Sequence, residues 1–169
     1  MASLREALND DKVKVADIHV RSWRVGYRGV ISDDVLNRLD AQERIPHYRF
    51  EETGPSIPTT LLAVEGDEIL GFVSFGRSSD PETLGGREIL ALYVDPDHWG
   101  MGVGRTLLSG ATTALREMSF SEASLWVLNG NRRAERFYSA NGWSPDGTTR
   151  RDVVWGVEVD VKRYGSPLV

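Results

Sequence analysis

The sequence predicts a single mixed α/β domain in which helices cover a β-sheet. The chain has 169 residues, the usual length of one domain. Segments with helical spacing of apolar residues alternate with short apolar runs typical of strands. We find no repeat, low-complexity tract or long linker, so we predict one domain over residues 1–169. Helices, then a hairpin, then alternating strands and helices are typical of a mixed sheet.

The first third of the chain is predicted to be mainly helical. An apolar stretch at residues 4–8 predicts an edge strand, and loosely helical spacing predicts a first helix over residues 11–27. Ser32 is a favourable N-cap for a second, short helix. Asp40 with Glu43 three residues later predicts a capping box that opens a third.

The middle of the chain is predicted to be β-structure. Apolar runs at residues 60–64 and 69–75 flank a short polar, glycine-containing segment, which predicts a hairpin. Residues 76–86 are rich in Ser, Gly and Pro and predict a loop. Residues 88–94 predict a strand that leads directly into a glycine-rich turn.

Beyond that turn, strands and helices alternate. Apolar residues from Val103 to Met118 recur every three or four positions and predict an amphipathic helix. Residues 125–128 predict a buried strand, after which Asn131 caps another helix. We predict a turn at residues 145–147 and one final strand over residues 152–161.

Composition excludes several classes of function. The chain has no cysteine, which rules out disulfides, thiolate metal sites and a cysteine nucleophile. Its three histidines, His19, His47 and His98, lack metal-ligand spacing, so we expect no metal. The net charge of −5 argues against nucleic-acid binding. With no signal-peptide core and no membrane-length apolar run, we predict a cytoplasmic protein.

The glycine-rich turn is the strongest functional signal. Gly100, Gly102 and Gly104 lie where a loop enters a helix, and free N–H groups at a helix start bind anions. Arg105 and Thr106 add a cation and a hydroxyl, so a diphosphate is the expected ligand. The spacing fits neither a P-loop nor the dinucleotide fingerprint. A turn shaped only for packing is the alternative.

Two blocks of sequence resemble the GNAT superfamily of N-acetyltransferases. Val94-Asp95-Pro96 and the run from Trp99 to Gly104 are similar to its acetyl-CoA-binding motif, although Trp99 stands where Gln or Arg is usual. Residues 131–143 resemble its pattern Asn-x-x-Ala-x-x-Phe-Tyr-x-x-x-Gly-Phe. Residues 22–29 are similar to the first helix of small bacterial members.

The resemblance implies a fold, a reaction and a donor site. The implied fold is a mixed, mostly antiparallel sheet of six to seven strands flanked by about four helices, with two central parallel strands splayed apart. The implied reaction is acetyl transfer from acetyl-CoA, a co-substrate, to a primary amine. The implied donor-binding residues are Leu92, Tyr93, Val94, Trp99, Gly100, Met101, Gly102, Val103, Gly104, Arg105, Thr106, Asn131 and Tyr138.

Direct attack by the amine is the simplest chemistry, because the chain has neither a cysteine nor a Gly-x-Ser-x-Gly elbow. The resemblance implies that Tyr138 protonates the departing thiolate; an aromatic packing role is the alternative. Glu88 is the candidate base, and strand alternation would place it on one face with Leu90, Leu92 and Val94. An ordered water is the alternative base. The alternative for Glu88 is that it is only the exposed start of a strand.

The acceptor is not encoded in any motif. Trp23 and Tyr27 are candidates for the wall of its pocket, or else core aromatics. A small-molecule amine or a protein N-terminus is expected, with no nucleic acid and no membrane as partner. A homodimer is left open. The rival function is a non-catalytic acetyl-CoA-binding sensor or interaction module with the same fold.

Overall fold

The computed structural model describes residues 1–78, 80 and 86–168, which form one seven-stranded sheet and five α-helices. The strands are β1 (Ser3–Glu6), β2 (Thr59–Glu65), β3 (Glu68–Arg77), β4 (Arg87–Val94), β5 (Glu122–Leu128), β6 (Ser144–Val154) and β7 (Val157–Pro167). The helices are α1 (Lys12–Gly26), α2 (Asp33–Arg38), α3 (Ala41–Arg44), α4 (Val103–Glu117) and α5 (Arg132–Ala140).

The sheet has the order β1-β2-β3-β4-β5-β7-β6. Within the described residues β4 and β5 are the only parallel neighbours, and every other pair is antiparallel. A mostly antiparallel sheet with one central parallel pair confirms the predicted fold class. The predicted loop at residues 76–86 lies partly outside the described residues.

Local sequence signals explain where the first helices begin. The Ser32 hydroxyl oxygen accepts a hydrogen bond from the Val35 N–H at 3.4 Å, as expected of an N-cap. Asp40 also caps its helix, but it accepts from the Gln42 N–H, and that helix has only four residues. The predicted helix over residues 11–27 is α1.

Helices cover both faces of the sheet. On one face α4 buries Leu107 and Leu115 against Val73 and Phe75 of β3. On the other, α1 buries Val15 and Ile18 against a cluster that includes Phe72 of β3. Successive strand residues point to opposite faces, so β3 contributes to both cores.

A β-bulge interrupts β4 at Leu90. Ile89 pairs with Phe75 of β3, whereas Ala91 pairs with the adjacent Ser74, so Leu90 is the extra residue. A bulge places two residues opposite one and shifts the side-chain alternation by one position.

The bulge overturns the prediction that Glu88, Leu90, Leu92 and Val94 share one face. Glu88 pairs with Gly76 and lies on the face of Ala91 and Tyr93, which is the α1 side. Leu92 and Val94 lie on the α4 side, with Ile89. Plain period-two counting fails because it assumes an uninterrupted strand.

The C-terminal segment differs from its prediction as well. The single strand predicted over residues 152–161 is wrong, because β6 ends at Val154 and β7 begins at Val157. Trp155 and Gly156 between them have φ values of 51° and 75°, and two positive φ values are characteristic of a tight hairpin turn. Residues 145–147 lie inside β6, at a bulge between Pro145 and Thr149.

Candidate active site

A cavity opens where the two parallel strands separate. In the described part of the chain, β4 and β5 are paired only at Glu88 with Ser124 and at Ile89 with Leu125. Beyond these pairs the strands diverge, and a cavity of about 470 Å³ lies between residues 89–94 and 125–128. Its size falls in the range of small-molecule sites.

The open edge of β4 offers backbone groups to this cavity. The Asp95 N–H donates to the Leu70 carbonyl of β3 at 2.8 Å. The backbone N–H and C=O groups of successive residues in an antiparallel strand point alternately to its two sides. Those of Tyr93 therefore also point to β3, while those of Leu92 and Val94 point to the edge from which β5 diverges. The Val94 carbonyl accepts hydrogen bonds from Trp99 Nε1 (2.8 Å) and the Ser22 hydroxyl (2.9 Å). Leu92 is therefore the best-placed backbone partner for an extended ligand.

The glycine-rich turn borders the same cavity. Gly100 and Gly102 adopt φ values of 77° and 83°, in the left-handed region that favours glycine. Gly102 is the N-cap of α4 and has no side chain that could bond the first-turn N–H groups. A Cβ at either glycine would meet no atom within 4 Å. The start of α4 thus presents backbone donors and the positive end of a helix dipole to open space, which suits an anion.

Two contacts hold the Trp99 ring at the rim of the cavity. Its ring nitrogen bonds the Val94 carbonyl, and the Arg133 guanidinium lies 3.3 Å from the ring centroid. Burial lowers the pKa of Arg133, which remains a cation at neutral pH. Both residues line the cavity. Arg133 was not predicted from sequence, because its position on α5 shows no relation to Trp99 until the two are folded together.

Three tyrosines converge on the cavity: Tyr27 directly after α1, Tyr93 of β4 and Tyr138 of α5. Burial raises the pKa of each phenol, and Tyr93 adds to the increase at both Tyr27 and Tyr138. The phenols are therefore protonated throughout the neutral pH range. A protonated phenol can donate to a developing anion.

Asn131 connects this cluster to α5. Its side-chain oxygen accepts from the Ala134 N–H at 3.2 Å and so caps the helix. The same side chain lies near the Tyr27 hydroxyl and opposes the increase in the pKa of that phenol. Asn131 thus caps α5, the helix that carries Tyr138, beside Tyr27.

Comparison with known proteins identifies the family. Residues 15–143 match the Acetyltransferase (GNAT) family. YuaI of Bacillus subtilis, an uncharacterized N-acetyltransferase, is 34% identical over 135 residues, which are 78% of this chain and 74% of the relative. This chain belongs to the GNAT acetyltransferase family. The predicted family and the predicted acyltransferase activity are confirmed.

Solved GNAT structures agree on the fold. The PaiA N-acetyltransferase of Thermoplasma acidophilum, in complex with coenzyme A, has a TM-score of 0.74 and 19% identity, and the match covers 99% of each chain. YncA from Salmonella typhimurium, with its cofactor acetyl-CoA, has a TM-score of 0.72 and 21% identity over 100% of this chain and 95% of that one.

Most of the donor residues implied by the GNAT resemblance line the cavity. They are Leu92, Tyr93, Val94, Trp99, Gly100, Gly102, Val103, Gly104, Arg105, Asn131 and Tyr138. Met101 and Thr106 do not line it. The Met101 side chain is 68% exposed, and the Thr106 hydroxyl donates to the Gly102 carbonyl within α4. The ligand roles of all these residues stay predictions.

Glu88 lies on the α1 side of the GNAT sheet and outside the cavity lining. It is 5% exposed, and its carboxylate accepts from the Ser78 hydroxyl at 3.2 Å. The alternative of an exposed strand start is therefore wrong, whereas the role of base stays a prediction.

The two acceptor candidates are placed differently. Tyr27 lines the cavity, but Trp23 is 1% exposed and does not. The Trp23 ring packs in an aromatic layer against Tyr27 and Trp155, at centroid distances of 4.6 and 4.4 Å. Trp23 therefore packs behind Tyr27 and does not reach the cavity.

His19 is the buried centre of this aromatic layer. Its Nδ1 lies 3.0 Å from the Tyr48 hydroxyl oxygen, and its ring stacks on Tyr93 at 4.6 Å. Burial, together with the nearby Arg44 cation, lowers the pKa of His19 to about 3. His19 is therefore neutral and serves packing.

Acidification is expected to destabilise the protein through His19. An unfolded histidine binds a proton below pH ~6.5, while folded His19 does so only near its pKa of about 3. Between these values the free energy of unfolding should fall by about 1.4 kcal/mol per pH unit from this group. Urea unfolding at about pH 5 and pH 7 measures the fall. His19→Asn keeps the other titrating groups and should show a smaller pH dependence; equal slopes would contradict the assignment.

Two further observations concern the described residues alone. Every helix among them is too short or too polar to span a lipid bilayer. No group of three or more His, Asp or Glu side chains in residues 1–78, 80 and 86–168 is placed to hold a metal ion.

Proposed function

We propose that this protein transfers the acetyl group of acetyl-CoA directly to a primary amine, on a small molecule or a peptide N-terminus. The single observation that carries the proposal is the continuity of one cavity. It runs from the open edge of β4 to the glycine-rich start of α4 and contains a protonated phenol.

The lining fits the donor in shape and charge. The left-handed glycines leave open space in front of the α4 N–H groups, where a side chain would otherwise stand. Arg105 and Arg133 supply cations beside that space. Backbone groups of Leu92, together with the Val94 N–H, would pair with an extended amide-bearing arm. Acetyl-CoA, bound there, supplies an acetyl group already activated as a thioester.

The residues of this chain then act on charge and protons. The acceptor nitrogen forms a bond to the acyl carbon while the carbon–sulfur bond breaks. Tyr138 donates its phenolic proton to the departing sulfur, and the nitrogen gives up a proton to a base. Holding both reactants in one cavity supplies much of the rate enhancement.

Two groups compete for the role of base. Glu88 is buried on the α1 side of β4, but it already accepts a hydrogen bond from Ser78. An ordered water bound near the three tyrosines could accept the proton instead, and Glu88 would then keep its hydrogen bond. The cytoplasmic location, which the sequence predicts, and a homodimeric assembly, which the sequence leaves open, belong to this proposal without adding support to it.

Two measurements test the proposed function. Calorimetry with purified protein should show saturable binding of both coenzyme A and acetyl-CoA. Release of free thiol from acetyl-CoA should then depend on an added amine. Binding without amine-dependent release would favour the sensor alternative, and absence of binding would refute the proposal.

Arg133→Ala is expected to raise the KM for acetyl-CoA roughly tenfold and leave kcat nearly unchanged. A guanidinium that bonds a phosphate contributes through binding, and loss of such a charged hydrogen bond costs about 1.5–3 kcal/mol. Steady-state kinetics with varied donor concentration measures the change. Arg136→Ala removes the same charge from a residue of the same helix that does not line the cavity, and it should have little effect. Equal effects of the two substitutions would contradict a local contact.

A further inference from the structure

The cavity proposed to bind the donor, called the donor cavity below, has an opening at the base of the split between β4 and β5. Leu90 and Trp126 each come directly after the last described pair of these strands, Ile89 with Leu125, and both line the cavity. Leu90 is 38% exposed, so the cavity reaches the protein surface at this point. An acceptor can therefore enter here without displacing packed side chains.

Leu90 and Trp126 flank this opening on the α1 side of the sheet. A Cβ on Gly76, which pairs with Glu88, would lie 3.8 Å from Leu90 Cδ1, and paired residues share one face of a sheet. Trp126 packs against the cluster that contains Tyr27, the residue that follows α1. The opening therefore has a leucine on one strand and an indole ring on the other.

The proposed donor would bring its thioester to this opening. Its diphosphate is proposed to bind at the start of α4, just beyond the Val94 end of β4. An arm that follows the open edge of β4 from there passes Leu92 and runs towards Leu90. Because the thioester is at the far end of that arm, the acceptor amine must approach it beside Leu90 and Trp126.

The cavity lining on the α1 side is apolar and aromatic. Its side chains are those of Leu90, Ala91, Tyr93, Trp126, Leu128 and Tyr27. No Asp or Glu in residues 1–78, 80 and 86–168 lines the cavity. Trp126 Nε1 is inaccessible to solvent and has no hydrogen-bond partner among the described residues, but this N–H is a donor and cannot accept a hydrogen bond from an ammonium group. The two phenol oxygens remain for the reacting amine itself.

Two arginines beside Trp126 are already ion-paired. The Arg150 guanidinium lies 4.0 Å from a ring centroid of Trp126 and pairs with Asp152 at 3.0 Å. The Arg163 guanidinium lies 5.9 Å from the ring and pairs with the buried Asp80 at 2.6 Å. A second ammonium group on the acceptor would meet these cations, and a carboxylate would have to compete with their present partners. Neither charge on an acceptor is favoured here.

We propose that the acceptor is a primary monoamine whose substituent is apolar, an alkyl or arylalkyl group, and that this substituent packs against Leu90 and Trp126. The inference rests on the proposed acetyl transfer and specifies its substrate class. An apolar substituent gains free energy with the surface that it buries, whereas a charged one loses hydration. The products are the acetamide of the amine and free coenzyme A, with the protons transferred as described above.

A homologous series of amines tests the apolar contact. From propylamine to hexylamine the basicity of the nitrogen stays nearly constant while the chain lengthens. We expect kcat/KM to rise about two- to fourfold with each added methylene until the site is filled. Thiol release from saturating acetyl-CoA measures the change. A flat or falling series would overturn the proposal.

A matched pair of amines tests the effect of charge. Hexylamine and cadaverine have equal numbers of non-hydrogen atoms and differ in a terminal methyl or ammonium group. We expect kcat/KM for hexylamine to exceed that for cadaverine roughly tenfold or more. Phenethylamine, γ-aminobutyrate, spermidine and a short peptide with a free N-terminus complete the panel. If an amine with a second charged group, or the peptide, is the best acceptor, the proposal is overturned.

Leu90→Asp and Leu90→Asn are a matched pair of variants that differ in charge and have nearly the same shape. Both should lower kcat/KM for hexylamine, because the apolar contact is lost. Leu90→Asp alone should also offer a carboxylate to the second ammonium group of cadaverine. We therefore expect it to raise the cadaverine-to-hexylamine ratio of kcat/KM roughly tenfold or more above the ratio in Leu90→Asn.

The ratio is internal to each variant, so a general loss of stability does not affect it. Val153→Asp is the control, since Val153 is an exposed strand residue that does not line the cavity, and its ratio should equal that of the unmodified protein. Equal ratios in Leu90→Asp and Val153→Asp would refute the contact between the acceptor substituent and Leu90.

The two proposals fail in different ways. Amine-dependent thiol release that is fastest with diamines, amino acids or the peptide would refute the apolar acceptor alone. Loss of acetyl-CoA binding itself would refute the acetyl transfer on which it rests.

Discussion

Tyr138→Phe is expected to lower kcat roughly 10- to 100-fold while leaving the Kd for acetyl-CoA almost unchanged. The phenol lines the donor cavity, and burial with the neighbouring Tyr93 keeps its pKa above the ordinary value. Loss of a positioned acid typically costs two or more orders of magnitude, less if water substitutes. The phenylalanine ring retains the contacts with Phe137 and Trp143, whose centroids lie 5.1 and 6.4 Å away. Single-turnover kinetics and calorimetry separate the two quantities.

Tyr164→Phe is the matched control for this experiment. Tyr164 packs 6.4 Å from the Tyr138 ring and is 3% exposed, but its hydroxyl donates to Glu135 and does not line the cavity. The substitution removes the same atom from the same aromatic cluster, so kcat should change less than about twofold. Equal losses in the two variants would assign the effect to packing. An unchanged kcat in Tyr138→Phe would remove Tyr138 from the mechanism.

Gly102→Val is expected to weaken acetyl-CoA binding at least tenfold. Gly102 has a φ of 83° and caps α4, and its missing side chain leaves open the space where the diphosphate is proposed to bind. A branched side chain would occupy this space and would also strain the backbone, at a cost of about 1–2 kcal/mol. Titration calorimetry gives the change in Kd, and thermal unfolding gives the change in stability.

Gly147→Val separates these two effects. Gly147 lies in the β6 bulge with a φ of 88°, and a Cβ there would also meet no atom within 4 Å. The backbone strain is therefore matched, while the donor cavity is untouched. We expect a similar loss of stability in both variants and a loss of donor affinity in Gly102→Val alone. Parallel losses of affinity would argue against a diphosphate at the start of α4.

Local sequence signals were sufficient for most of the fold. Helix α1, the β2–β3 hairpin and the α4 helix each follow from periodicity and turn residues, which act within one or two turns of the chain. The hairpin at Trp155-Gly156 was missed because period-two alternation on its two sides hid a turn of only two residues. Its signal, a glycine in the middle of an alternating run, was present in the sequence.

The donor half of the site is local in the same sense. The glycine-rich turn and residues 131–143 are each a contiguous segment whose own residues determine its backbone. A short motif therefore predicts each of them. Their meeting across one cavity required the parallel pairing of β4 with β5, which only the sheet topology provides.

By itself the sequence determined the fold class, the family and the glycine-rich loop that borders the cavity, because these depend on residues close together in the chain. The tertiary structure alone decided the rest. The Leu90 bulge turns Glu88 to the α1 side, Arg133 reaches Trp99 from another element, and Arg44 meets Trp155 across more than a hundred residues. Such contacts depend on strand register and helix packing, which are settled by the burial of the whole core and leave no signal at any one position.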